Sequence, residues 1–262
     1  MARRVREHCG FGCAICGRMP TQMEHIEPWA KVQKHEFSNL VLLCSRHHDE
    51  VTAGRLGKKD VLAARALPFG KRNGPAKYDL FLSNQMSVDF GSVRFLLKPG
   101  SRVSPFSFGG IKPITIELGK TPKFDIRIFD HNNVLALSVV ENCFEFNQSR
   151  LWDVKLTGRE LKVRLGERRV LLSLKIEDSN LQFRQVRMAQ SEVPIVVDRR
   201  GIRLPKSENS WRDFSIDASG SNIATLFGVG DPEAFLKGTG VRCSSQKEAW
   251  DMAFNFKPVE LL

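Results

Sequence analysis

Cys13-Ala14-Ile15-Cys16 and Cys44-Ser45-Arg46-His47 are two pairs of soft ligands, each spaced to sit on one tight turn. Tetrahedral zinc takes thiolates and imidazoles converging from two chain segments, so these four residues are the expected ligands of a structural zinc. A segment this short has little apolar core of its own, and structural zinc contributes roughly 10–16 kcal/mol to such a fold. Cys9 lies four positions before Cys13, a less regular spacing. It is read as packing beside the ligand set, with replacement of one ligand as the alternative.

Between the two pairs lies Glu24-His25, and His48 follows the last zinc ligand. If the zinc draws the two segments together, one carboxylate and one imidazole become available to a second cation, with another imidazole beside them. That combination is hydrolytic. A divalent cation stabilises charge developing on a phosphate, and a neutral imidazole deprotonates water.

Across residues 8–54 the order CxxC, then Glu24-His25-Ile26, then Asn39-Leu40-Val41-Leu42-Leu43-Cys44 and His47-His48 resembles the HNH nucleases of the ββα-metal fold. The resemblance implies that His25 is the general base, that Glu24 and His48 hold the catalytic cation, and that Asn39 braces the loop and orients the base. It departs from the family at Glu24, where Asp is more usual, so that ligand reaches by a longer arm. It covers about a fifth of the chain and implies a metal-dependent endonuclease that hydrolyses phosphodiester bonds in DNA, with RNA left open. The catalytic metal would be Mg²⁺ or another divalent cation such as Mn²⁺ or Ni²⁺. A restriction or phage-defence (antiviral) role extends the same resemblance. The rival reading is a non-catalytic, zinc-stapled nucleic-acid-binding or sensor protein.

The elements that must position these residues are also readable. Leu40–Leu43 is a short apolar strand, Ser45–Thr52 begins the metal helix and Gly54 is placed to cap it. Lys59–Leu67 has apolar residues at helical spacing and is stopped by Pro68. The Gly/Pro/Lys-rich run 69–77 reads as a linker. From 78 onward short β-rich runs alternate with turns, for example 92–97, 114–118, 124–129, 134–140, 152–156, 161–165, 170–176 and 181–186, several with the apolar/polar period of a half-buried strand. Helix is expected again near 231–236 and 246–254. The fold class is therefore α+β: a zinc-bound ββα-metal module at 1–68, the linker, and a mostly antiparallel β domain at 78–262. A sandwich, a barrel and a solenoid-like stack all fit that domain.

Forty Lys and Arg against 29 Asp and Glu give a net charge of +11, a field that favours polyanions. Arg3, Arg4, Arg6 and Arg18 stand beside the zinc module and are read as phosphate contacts. His8, His35 and His131 receive no role. There is no secretion signal and no apolar run of membrane-spanning length, so a reducing cytoplasmic setting is expected, with Cys143 and Cys243 as small buried apolar residues. After Pro68 no phosphate loop, dinucleotide fingerprint or nucleophile elbow occurs. The β domain is left with three roles: reading DNA, sensing a ligand or protein, or forming a homo-oligomer. Its Lys162-Val163-Arg164 and Arg184–Arg187 stretches display either a basic face or an ordinary solvated one.

Overall fold

The computed structural model describes residues 1–83, 85–108, 111–190, 193–204, 210–218, 227–229 and 242–243. The helices expected at 231–236 and 246–254 lie outside them. By internal contacts the chain divides into two units, Met1–Asp79 with Cys143–Val170, and Leu80–Asn142 with the residues from Leu171 on.

In the first unit, helix α1 (Ala2–His8) buries Val5 against strand β2 (Leu40–Cys44), whose run Leu40–Leu43 is wholly buried. Strand β1 (Thr21–His25) pairs antiparallel with β2, setting Glu24 opposite Val41 and His25 opposite Leu40. A short helix α2 (Trp29–Val32) and a 3₁₀ turn over Phe37–Asn39 fill the connection, and helix α3 (Ser45–Thr52) follows β2 directly. Gly54 ends α3 with φ +70° and its N–H on the Val51 carbonyl at 3.0 Å, a conformation a side chain would strain. Helix α4 (Lys58–Ala66) buries Val61 and sends Arg65 back to the carbonyls of Leu40 and Phe37 at 3.0 and 2.7 Å.

These boundaries differ from the module, linker and β domain expected from composition. The supposed linker contains helix α5 (Phe69–Arg72), and the Phe69 N–H donates to the Ala14 carbonyl inside the CxxC turn at 2.8 Å. Strand β3 (Lys77–Asp79) then pairs antiparallel with Cys143–Phe146. A hairpin of Asp153–Thr157 against Glu160–Gly166 completes the unit. Composition marks where texture changes along the chain but carries no sign that a later hairpin returns to an earlier helix. Here Asp153 is drawn back by a bidentate ion pair with Arg6, at 2.8 and 2.7 Å.

The second unit is β-rich. Ile114–Leu118, Pro122–Phe129 and Leu135–Val140 form an antiparallel run edged by Arg102–Val103. A second sheet contains Asn180–Gln190, Met86–Phe90, Val93–Leu97 and Phe214–Asp217 as neighbours. Most pairings are antiparallel as expected. Two pairings in this sheet are parallel, Asn180–Phe183 with Ser87–Phe90 and Phe214–Asp217 with Val93–Leu96. Phe124 of the first sheet meets Phe183 of the second, whose ring stacks on Phe90 at 4.3 Å. Among the described residues no helix is long and apolar enough to cross a membrane.

Candidate metal centre and active site

The CxxC turn is held by its own backbone: the Cys13 N–H reaches the Arg18 carbonyl at 3.1 Å and the Gly17 N–H reaches the Cys13 carbonyl at 2.8 Å. Gly17 has φ +72°, and a Cβ there would lie 2.4 Å from the Phe69 ring, so both conformation and space require glycine. The Ala14 N–H is bonded to the Leu42 carbonyl at 2.8 Å, which fixes this turn against β2. Cys44 at the end of β2 and His47 in the first turn of α3 supply the other pair.

The Cys13, Cys16, Cys44 and His47 donor atoms all lie within 4.8 Å of one another. Cys16 Sγ is 3.8 Å from Cys44 Sγ, and His47 Nδ1 is 3.4 and 3.3 Å from Cys13 Sγ and Cys44 Sγ. A tetrahedral zinc with its usual bond lengths holds its ligands about 3.5–3.8 Å apart, so the group could hold that ion with little adjustment. The Cys13 thiol is lowered to about 4, chiefly by the hydrogen bond from the Cys16 side chain, with backbone bonds at Cys44, Cys16 and Ile15 adding to it. The same bond and burial push Cys16 upward.

Cys9 is outside this group. It is fully buried among Val5, Ala14 and the β2 leucines, and burial raises its thiol, as expected of an apolar packing residue. Cys143 is only half-buried. His8 does have a structural place: its Nε2 meets the Arg65 carbonyl at 2.8 Å, with the ring edge-on to Phe37.

Glu24 and His48 are brought together, Oε2 to Nε2 at 2.9 Å, both half-buried. His25 goes elsewhere. Successive strand residues face opposite ways, and His25 meets the loop after β1. Its Nε2 is 3.0 Å from His35 Nδ1, and its ring centroid is 5.3 Å from that of Trp29. Asn39 clasps the same loop: its Oδ1 accepts from the Glu27 N–H at 2.7 Å and its Nδ2 donates to the Glu27 carbonyl at 3.1 Å. The Ile26 N–H reaches the Asn39 carbonyl at 3.0 Å. Asn39 therefore holds the backbone two residues beyond His25.

Residues 7–54 match the family model for HNH endonuclease. No curated protein and no solved structure matches the chain. The HNH segment thus carries its own four-ligand zinc-type cluster, and the remainder of the chain is unrecognised.

The arginines beside the HNH segment have partners within the protein. Arg6 is committed to Asp153. Arg3 bonds Glu7 and the Trp152 carbonyl and lies over the Trp152 ring, Arg4 lies over Phe37, and Arg18 pairs with Asp79. Arg4 and Arg18 are exposed beside these partners. His35, given no role, is exposed but bonded to His25. Its only sequence signal is its place between the motif residues His25 and Asn39, because an exposed loop has no hydrophobic period to fix its neighbours.

Proposed function

We propose that the protein is a metal-dependent endonuclease that cleaves DNA through its HNH segment. The observation that carries this reading is the 2.9 Å pairing of Glu24 with His48 inside the span that matches the HNH model. A carboxylate and an imidazole within hydrogen-bond distance, half-buried at a strand and a helix, are a donor set that suits a hard or borderline divalent cation. Bound there, Mg²⁺, Mn²⁺ or Ni²⁺ would neutralise charge on the phosphate.

In this reading His25 accepts the proton of a water as its oxygen bonds to phosphorus. The phosphorus–oxygen bond to the leaving sugar breaks, and the leaving oxygen is protonated from solvent. Asn39 keeps the loop beyond His25 in place through Glu27. Cys13, Cys16, Cys44 and His47 take no part in the chemistry: they hold the zinc that joins the turn of the first pair to α3. A restriction or defence setting is the biological extension of this activity.

The test is direct. Supercoiled plasmid is incubated with the protein and Mg²⁺, Mn²⁺ or Ni²⁺, with and without EDTA. Metal-dependent nicking is expected, and His25→Ala should lower it by roughly 10²–10⁴, as loss of a general base does, with zinc content and melting unchanged. Binding of DNA without nicking in every metal would instead support a non-catalytic nucleic-acid-binding protein.

A further inference from the structure

The loop between β1 and β2 contains a second imidazole whose contact bears on His25. Gln33 takes the left-handed conformation (φ +46°) at the end of α2, its N–H on the Trp29 carbonyl at 2.9 Å, and the chain turns back. His35 thereby returns to the end of β1. The His25 and His35 rings are near parallel, 22° apart, with centroids at 5.1 Å and the facing nitrogens at 3.0 Å. Nitrogens that close, with centroids that far, place the rings edge to edge through one N–H···N bond. Trp29 packs against both, its ring centroid 4.8 Å from that of His35 and 5.3 Å from that of His25.

We infer that His35 is a positioning residue for the general base, holding His25 with Nε2–H donated to His35 Nδ1 and with Nδ1 free to take the proton of water. The inference rests on the assignment of His25 under the proposed function. Its physical content is the tautomer. A neutral imidazole has one donor and one acceptor nitrogen, and the partner of one nitrogen decides the state of the other. With Nε2 as the donor, the lone pair needed by a base is on Nδ1. Trp29 limits rotation of both rings.

The experiment uses the 262-residue chain loaded with zinc. His35→Ala is expected to lower kcat for plasmid nicking about 10–100-fold, the scale of a misplaced catalytic group, with KM within about twofold and zinc content and melting unchanged. His35→Asn should recover some of the lost kcat, because its side-chain oxygen can accept the same bond. Long-range ¹H–¹⁵N correlation of the ring nitrogens gives a readout independent of activity: His25 should be the Nε2–H tautomer in the native chain and a mixture in His35→Ala. Native kcat in His35→Ala beside an inactive His25→Ala would overturn the positioning role and leave the base assignment standing. A His25→Ala variant that still cleaves would overturn the base assignment and this inference with it. An Nδ1–H tautomer in the native chain, a change in KM alone, or His35→Asn no better than His35→Ala would each overturn the positioning role.

Discussion

Cys9 and Cys16 are the same residue type within one small core, and their surroundings give them opposite work. Cys16 has its sulfur 3.8 Å from that of Cys44 and belongs to the four-donor group, whereas Cys9 is enclosed by apolar side chains that keep its thiol neutral. Removing a ligand removes folding energy supplied by metal, and removing a buried sulfur leaves only a small cavity. Cys16→Ser is therefore expected to lose the bound zinc, measured by atomic emission, together with the cooperative melting of the first unit. Cys9→Ala should retain one zinc per chain and lose about 1–2 kcal/mol in urea unfolding. Zinc lost from Cys9→Ala would make Cys9 a ligand. The four-ligand set is readable in the sequence because CxxC and CxxH are short-range spacings that a turn converts directly into geometry. The surroundings of Cys9 are not, since burial depends on residues such as Val5 and Leu42 that sequence order does not connect.

At the scale of elements, the strand and helix that carry the site are legible because each has one strong local cause. Leu40–Leu43 is a short, uninterrupted apolar run of strand length that forms a buried strand, and Gly54 supplies the positive φ that ends α3. The β-runs from 93 to 190 are legible through their alternation; Leu161 and Val163, for example, are buried while Glu160 and Lys162, which alternate with them, are half-exposed and pair at 3.3 Å. The hairpin at 153–166 reads as two strands but not as a member of the first unit, because what recruits it is an ion pair 147 residues apart in sequence. Arg6 and Asp153 have side chains only 14% and 6% exposed. Desolvation makes such a pair of modest net value but makes an unpaired member costly. Asp153→Ala should destabilise the first unit by about 3 kcal/mol in chemical denaturation. Replacing both partners, as Arg6→Met with Asp153→Leu, should recover most of that loss. If the double variant loses as much stability as Asp153→Ala and Arg6→Met lose in sum, Arg6 and Asp153 are energetically independent.

Over the whole molecule, the net charge of +11 points to polyanions, yet the arginines nearest the HNH segment are occupied by Glu7, Asp79, Asp153 and two aromatic rings. A sum of charges does not disclose which of them are already answered. The same holds for the boundary of the unit that contains the four-donor group. A cut after Asp79 would follow the change in texture along the chain but would remove Cys143–Val170, which belong to the same compact unit. Strand β3 would lose its antiparallel partner Cys143–Glu145, and Arg6, little exposed in α1, would lose its only carboxylate among the described residues. Unpaired strand edges and an uncompensated buried charge both act against folding. A fragment of residues 1–79 is thus expected to melt well below the full chain and to bind zinc more weakly, even though all four ligands are present. Differential scanning calorimetry with zinc titration compares the two. A 1–79 fragment that matched the full chain in melting temperature and zinc affinity would show that the HNH segment folds without the later strands, and that Arg6–Asp153 is incidental to its stability.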